Sequence, residues 1–540
     1  YGLVGSEMCI RDSGTIYQGN FGYMDKEKGI KADDDSVFEW GSVTKLTIWV
    51  SVMQLWEQGK INLEEDIRTY LPEGFLKNLR YDKPITMLDL MNHKAGFDEV
   101  TIYLQDDKSI EEILKEQQPI QSFEPGTVTA YSNYGAGLAA LIVERISGQT
   151  FADYAHEHIF QPLGMDKTAI LPDLSDNSYV QKKRQETKGY ETKGNLLSKD
   201  HFITSIYPIG AATGTLKDLE KFAQALLARK TLFERPETWN TLYTASSTYP
   251  DTDIIRNAHG FWANEYGTTV LGHGGNTPGA TSRIMLDLEH GIGYVVMTNQ
   301  GTEQNYNFQM PELVFGPRKT ASKETKEQFS PGYYRTLRNF NQGPLAIFKM
   351  IPASADYLQE PSDDQRLPNN FWTIYQSQGK TRIAVAVADY EKVSDFDFFK
   401  DYVVLGFAGL GIIYALGLLI ISPLLGVYRL IFRKKQDQPD RTWKVWNLLT
   451  AVGILTVSIN LFLLFMSATS GDFSEIAQWR YMLFAALGLL LTSAALLPLF
   501  RKFREKLSKG RLFLTAMTSL SALAVTANIL YWSLYQWWVF

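Results

Sequence analysis

A single cysteine, Cys9, stands in 540 residues, so no internal disulfide can form and no thiolate cluster can hold zinc. Basic excess is missing where it would matter. Lys and Arg total 53 against 59 Asp and Glu. Residues 401–540 hold 13 basic and 6 acidic side chains, which leaves the first 400 at −13. A nucleic-acid binder, which would show a basic face on its soluble part, is thereby excluded. The composition also lacks the low hydrophobicity of disorder, with 45% hydrophobic and 13% aromatic residues. No initiator Met and no charged-then-apolar signal segment opens the chain, so it reads as a fragment whose true start is missing. Residues 1–13 fit neither helical nor strand period, look like a translated linker, and are set outside the fold.

Two familiar motifs are absent as well. The Gly-rich stretch Gly272 to Gly279 has no Gly-Lys-Ser/Thr ending and so cannot cradle a phosphate. His156-Glu157-His158 spaces its histidines two apart, on different helical faces, which fails the spacing of a zinc protease and reads as surface.

What the chain does have is length and apolar runs. At more than the roughly 250–300 residues of a single core, it should divide into at least two units. Tyr402 to Tyr428, Val445 to Met466, Tyr481 to Phe500 and Leu512 to Tyr531 each approach the ~20 residues that span a bilayer and contain no charged residue. Arg433, Lys434, Lys435, Arg441 and Lys444 follow the first run; Arg501, Lys502, Arg504, Lys506, Lys509 and Arg511 precede the last. Both basic loops belong on the cytoplasmic side. The loop with Asp472 and Glu475, the soluble body, and the closing Trp532, Tyr535, Trp537 and Trp538 then fall on the outer side. With no charge inside the runs, anchoring is a better reading than transport.

In the body, Leu46, Trp49, Val50, Met53 and Trp56 recur at three-and-four spacing, predicting an amphipathic helix that ends at Gly59. Val270 to His273, Ser282 to Leu288 and Ile292 to Asn299 predict an antiparallel meander, broken by the loop Gly274 to Gly279. Residues 321–400 read as a small β-rich module or linker.

Three short motifs could carry chemistry. In Ser42-Val43-Thr44-Lys45 the serine and lysine fall three apart at a helix start, where their side chains meet. A serine hydroxyl needs a base to become a nucleophile, and lysine serves only if burial or nearby cations lower its pKa. The bland alternative is Ser42 as a cap and Lys45 as a solvated charge. Tyr131-Ser132-Asn133 sits at a loop-to-helix junction; a phenol can relay a proton and an amide can grip a carbonyl, and a capping role for Ser132 or Asn133 can coexist. In His273-Gly274-Gly275-Asn276 the glycines let a ligand approach the backbone, so that N–H groups of Ser42 and Asn276 can meet an oxyanion.

In this order, the three motifs resemble the serine β-lactamase and penicillin-binding-protein superfamily. The tyrosine is similar to the class C β-lactamase, D-alanyl-D-alanine carboxypeptidase and esterase branch. Leu90 to Gly96, Pro162 to Met165 and Ala212 to Thr215 match too. The resemblance implies Ser42 as acylated nucleophile, Lys45 and Tyr131 as proton carriers, Asn133 as the substrate-orienting amide, His273 where many relatives have lysine, and Gly274, Gly275 and Asn276 lining the substrate. It also implies a helix and an outer strand before Thr15, which the chain lacks. His273 and Gly274, in place of lysine and threonine, disfavour efficient β-lactam hydrolysis. They leave His273 half charged near pH ~6.5.

The expected fold class is thus α/β of the α+β kind: a β-lactamase/transpeptidase-like antiparallel sheet flanked by helices, with a helical subdomain and four transmembrane helices after it. The expected division is 1–13 linker-derived, 14–320 hydrolase, 321–400 module and 401–540 membrane region. The expected function is a membrane-anchored, outward-facing bacterial serine hydrolase acting on an ester, D-amino-acid peptide or amide. It would need no metal and no cofactor. Its partners would be a small-molecule or peptidoglycan-like substrate and the lipid bilayer, with no protein partner inferable. The rival reading is an idle cell-wall ligand sensor.

Overall fold

The computed structural model describes residues 5–77, 79–100, 108–197, 204–319, 329–341, 347, 350, 355–359, 371–432, 438–470, 477–500 and 508–539. Two compact units emerge, one from 1–339 with 357–392 and one from 340–356 with 393–540.

The first unit is built on an eight-stranded sheet. From one edge to the other its strands are Gly14–Phe21, Gly5–Arg11, Ile292–Thr298, Ala280–Asp287, Thr269–Thr277, Phe261–Glu265, Ile255–Ala258 and Ser247–Thr248, all antiparallel. Alternation along the central strands sends side chains to two cores. Ile284, Leu286, Val295 and Met297 enter the large one, and Met285, Tyr294 and Val296 enter a smaller one closed by Phe315.

Residues 5–11 are a correction to the sequence reading, which placed them outside the fold. They pair with Ile292–Thr298 on one side and Gly14–Phe21 on the other. So a strand does precede Thr15. The pairing rests on backbone ladders over a strand with only three apolar side chains, Met8, Cys9 and Ile10, of which Ile10 is fully buried.

A second correction concerns the Lys45–Glu57 helix. Its apolar spacing predicts one wet face, yet every residue from Lys45 to Leu55 is buried. Several polar side chains bond within the helix or to neighbours, while Trp49 Nε1 and Gln54 Oε1 have no partner among the described residues. Thr47 and Ser51 hydroxyls donate to the carbonyls of Thr44 and Thr47 at 2.7 and 2.8 Å, and Gln54 Nε2 donates to Leu232 O at 3.0 Å. Gly59, at φ +72°, then turns the chain away.

The glycine-rich stretch is the third. The Thr269–Thr277 strand runs through Gly274 and Gly275 and turns only at Pro278-Gly279. Glycine is needed there for closeness rather than for a bend: a Cβ on Gly275 would stand 1.9 Å from Trp40 O and 2.5 Å from Ser282 Oγ.

Strands Gly332–Thr336, Asp389–Val393, Lys380–Val385 and Trp372–Ser377 lie side by side in that order in a smaller sheet. Its core holds Tyr334, Leu358, Ile383, Val385 and Tyr390. Contact with the large sheet is anchored by Arg256 and Asp389, both 2% exposed and 2.7 Å apart. Arg256 also donates to the carbonyls of Val385 and Ala386.

In the second unit four helices, Asp395–Ile431, Thr442–Ser467, Gln478–Leu499 and Lys509–Tyr531, are long and apolar enough to cross a membrane. Arg480 falls between a run and a loop on the sequence, yet it belongs to the third helix. There it is buried, and its Nη1 donates to Asn460 Oδ1 at 2.9 Å. Tyr414 Oη and Asn528 Nδ2 tie the first and fourth helices through the carbonyls of Leu514 and Val404, each at 2.8 Å. Residues 433–435, 472, 475, 501, 502, 504 and 506, on which the charge reading leans, lie outside the described residues.

Candidate active site

Ser42 lies in a short 3-10 turn, Gly41–Thr44, that leads directly into the Lys45–Glu57 helix. One turn of helix brings Lys45 Nζ to 3.0 Å from Ser42 Oγ, while the same nitrogen donates to Ile209 O at 2.7 Å. Ser42 is half-buried, whereas Lys45 is fully buried. The solvated-charge alternative therefore fails. Burial holds the Lys45 ammonium well below the usual lysine range; Glu99 pushes the other way and Arg338 adds to the lowering.

Tyr131 stands beside this pair, with Lys45 Nζ 5.1 Å from its ring centroid. Its phenol is raised above the ordinary tyrosine value by burial, an effect that Ser42 partly offsets. The hydroxyl makes no hydrogen bond of normal geometry among the described residues. Tyr131 is thus a neutral O–H group facing the serine.

The segment carrying Tyr131 is held like a strand from both edges. On one edge Ala130 N–H donates to His93 O at 2.9 Å and Ser132 N–H to His93 Nδ1 at 3.1 Å. On the other, Thr129 N–H donates to Asp389 Oδ2 at 2.9 Å and Tyr131 N–H to Val387 O at 3.0 Å. Ser132 caps the Asn133–Ser147 helix by accepting from Gly135 N–H at 3.1 Å. Asn133 is left with its backbone N–H on Glu99 Oε1 at 3.1 Å and with Oδ1 buried and unpartnered among the described residues.

His273 sits in the Thr269–Thr277 strand, buried, with its ring centroid 6.0 Å from that of Tyr131. Its Nδ1 is 2.7 Å from Gly274 O. A carbonyl only accepts, so Nδ1 carries the proton and Nε2 is an acceptor. Burial, then Lys45, push its pKa down to about 3. The half-charged state expected near pH ~6.5 is corrected by this: His273 is neutral throughout the physiological range. Gly274 is half-buried, and Asn276 is exposed. Gly41, at φ +51°, lies so close to Asn276 that a Cβ there would be 2.8 Å from Asn276 N. The turn bearing Ser42 and the backbone of Gly275-Asn276 are therefore pressed together.

Four polar residues around the site escaped the sequence reading. His93, at φ +53°, stacks on Tyr131 at 4.3 Å and on Trp262 at 5.4 Å. Its stretch Leu90 to Gly96 was visible as a family match, without a role. Glu99, Arg338 and Asp389 carried no signal. Arg338 Nη2 and Nε lie 2.7 and 3.0 Å from Glu99 Oε2, and its guanidinium is 4.7 Å from the Tyr131 ring centroid. Among the described residues no group of three His, Cys, Asp or Glu could hold a metal. His156 binds Asp176 at 2.8 Å instead of entering the site.

Residues 2–315 match the beta-lactamase family, and the chain belongs to it. Over 255 residues it is 27% identical to PbpX of Bacillus subtilis (strain 168), assigned by its name to the penicillin-binding proteins, covering 46% of this chain and 61% of that one. It is 23% identical over 328 residues to Protein flp of Staphylococcus aureus (strain MW2), covering 58% and 62%. The chain thus spans about three fifths of the length of these relatives. An octameric penicillin-binding protein homologue from Pyrococcus abyssi superposes with a TM-score of 0.50 at 18% identity, over 72% of this chain and 96% of that one. This likeness is one of fold. The β-lactamase/transpeptidase architecture and a C-terminal set of membrane-capable helices are therefore established features of the chain.

Proposed function

We propose that the chain is a membrane-anchored serine hydrolase whose catalytic unit lies on the outer face, acting through a Ser42 acyl-enzyme on an ester, D-amino-acid peptide or amide. The observation that carries the reading is the 3.0 Å approach of a fully buried lysine nitrogen to Ser42 Oγ. Lys45 is held toward its neutral amine, so it can keep one N–H on Ile209 O and take the Ser42 proton on its lone pair. Ser42 Oγ then attacks the substrate carbonyl. The oxyanion forms against the N–H groups of Ser42 and Asn276, a reading supported by the close approach of Gly41 to the Asn276 backbone. Tyr131, a neutral phenol, is suited to give a proton to the leaving group, and Asn133 Oδ1 is the acceptor for a substrate amide. Water then releases the acyl group by the reverse proton traffic. Neutral His273 with an acceptor Nε2 offers no cation, which favours ester or peptide substrates over efficient β-lactam turnover.

Intact-mass spectrometry after exposure to a fluorophosphonate, a penicillin and an ester, beside Ser42→Ala, tests this. Adducts are expected on the parent and absent in the variant. Equal ester turnover by Ser42→Ala would sink the mechanism, and penicillin and ester adducts that both never turn over would select the sensor reading. For orientation, a cysteine placed at Trp537 in a Cys9→Ser background should react with an impermeant maleimide in intact cells, and one at Lys444 only after permeabilisation.

A further inference from the structure

Lys444, near the start of the Thr442–Ser467 helix, leans across onto its neighbour. Its Nζ is 3.5 Å from the Ser422 carbonyl oxygen of the Asp395–Ile431 helix, the outer limit of a hydrogen bond. Gly426 permits the approach, since a Cβ there would stand 3.8 Å from that nitrogen. An ammonium carries three N–H donors, so one long contact leaves it donors for another acceptor. Lys444 shares the rim of a cavity of about 380 Å³ with Arg429 and Arg511. Arg429 lies in the last turn of its helix, and Lys444 and Arg511 in the first turns of theirs, so three packed helices bring their cations to one end of the bundle. No Asp or Glu is among the described residues that line the cavity.

Away from this rim the wall is hydrocarbon. Leu418, Leu425, Leu448 and Leu514 line it, and at Gly417 an added Cβ would meet nothing within 4 Å, which leaves an open notch. Two polar residues of the lining are already committed: Tyr414 Oη donates to Leu514 O at 2.8 Å and Asn447 Nδ2 to Trp443 O at 2.9 Å. The 15 residues from Tyr414 to Arg429 cover about 22 Å of helix at about 1.5 Å each, more than half of a hydrocarbon core about 30 Å thick.

We propose that this cavity is a binding site for one anionic phospholipid. Arg429 and Lys444 hold its phosphate, Arg511 adds positive charge to the same rim, and one acyl chain lies along the leucine wall over Gly417. Cations at the end of apolar helices need a partner when the helices enter a bilayer, and a lipid phosphate supplies one. Three cations without a carboxylate also disfavour a zwitterionic headgroup, whose own ammonium would sit in their field. A small free anion would use the rim and leave the wall empty, whereas a lipid uses both. The four helices then select among lipids as well as anchor the chain.

Native mass spectrometry of the full chain in detergent tests this, with phosphatidylglycerol, phosphatidylcholine and glycerol 3-phosphate as probes. Phosphatidylglycerol should bind about 30-fold more tightly than phosphatidylcholine, the ratio expected of two cations at a membrane surface, and glycerol 3-phosphate should not compete. R429Q combined with K444Q should bring that ratio below about threefold. K509Q removes a charge from the same end of the bundle but outside the cavity, and should leave the ratio as it is. G417L fills the notch without touching a charge and should weaken phosphatidylglycerol at least about tenfold through the lost chain contact; it decides the matter if the double variant does not fold. Equal binding of the two lipids by the parent overturns the proposal, as does full phosphatidylglycerol affinity in G417L. A K509Q loss as large as that of the double variant would mark diffuse charge attraction, and competition by glycerol 3-phosphate a small-anion site; either outcome also overturns it.

Discussion

Gly275 passes beneath Trp40 so closely that a Cβ on it would lie 1.9 Å from the Trp40 carbonyl oxygen. Trp40 is the residue before the Gly41–Thr44 turn, so any displacement of it moves Ser42. Gly275→Ala should therefore lower fluorophosphonate labelling at least 100-fold, comparable to loss of an oxyanion donor. Overpacking of this kind also costs about 1–3 kcal/mol of stability. Thermal melting and labelling kinetics check both halves; an alanine variant that labels at the parent rate would show that the strand can retreat.

Lys45 leads to a pH prediction. Burial lowers its folded pKa, so the neutral amine exists at far lower pH than for a free lysine. The labelling rate should rise with pH and level off well before the ordinary lysine value. Lys45→Arg keeps a proton at all accessible pH and should lose at least about 10² in rate, the usual contribution of a general base. A Lys45→Arg rate within tenfold of the parent would remove Lys45 from the role of base.

His273 predicts acid sensitivity of the fold. Its pKa is about 3 when folded against 6.5 for the free group, so the unfolded chain binds more protons between those values. Stability must then fall as pH drops from 6.5 toward 3, and the group contributes no slope above that window. His93, also lowered chiefly by burial, adds the same sign. Melting temperatures at pH 7.5 and 5.0 should differ less in His273→Asn than in the parent. Equal differences would place the acid sensitivity elsewhere.

Arg256 and Asp389 form a buried pair, and breaking such a pair from one side typically costs about 3–5 kcal/mol. Asp389→Leu should be strongly destabilising because Arg256 stays buried and charged. The double variant Arg256→Met with Asp389→Leu should recover much of the melting temperature, though not the labelling rate, since the Thr129 bond to Asp389 Oδ2 is lost. Additive losses in the double variant would mean that the two residues act independently.

Local information made the serine and lysine legible. Residues three apart in a helix must meet, and the helix start was marked by apolar spacing. The burial of that helix was not legible, because Thr47 and Ser51 look like surface residues until their hydroxyls are seen to bond within the helix. Glycines 274 and 275 read as a loop by composition, though they serve a strand pressed against another backbone. What lay furthest from view were the two edges of the Tyr131 segment. Their partners are 39 residues upstream of Ser132, at His93, and 260 residues downstream of Thr129, at Asp389. No periodicity or short motif encodes pairing across such distances, and an ion pair between Glu99 and Arg338 leaves no trace in either neighbourhood.

The Asp389 contact also sets a timetable for biosynthesis. At roughly 5–20 residues per second, the ribosome adds the 260 residues from Thr129 to Asp389 in roughly 13–50 s. Until then the tyrosine segment has only its His93 edge. Ser42, Lys45 and the glycine strand are all made well before the Tyr131 hydroxyl beside them can be fixed. The piece that completes it is polymerised immediately ahead of Asp395–Ile431, one of the helices long and apolar enough to cross a membrane. The contact that closes the second edge of the Tyr131 segment therefore becomes possible at nearly the same moment as synthesis of that helix begins.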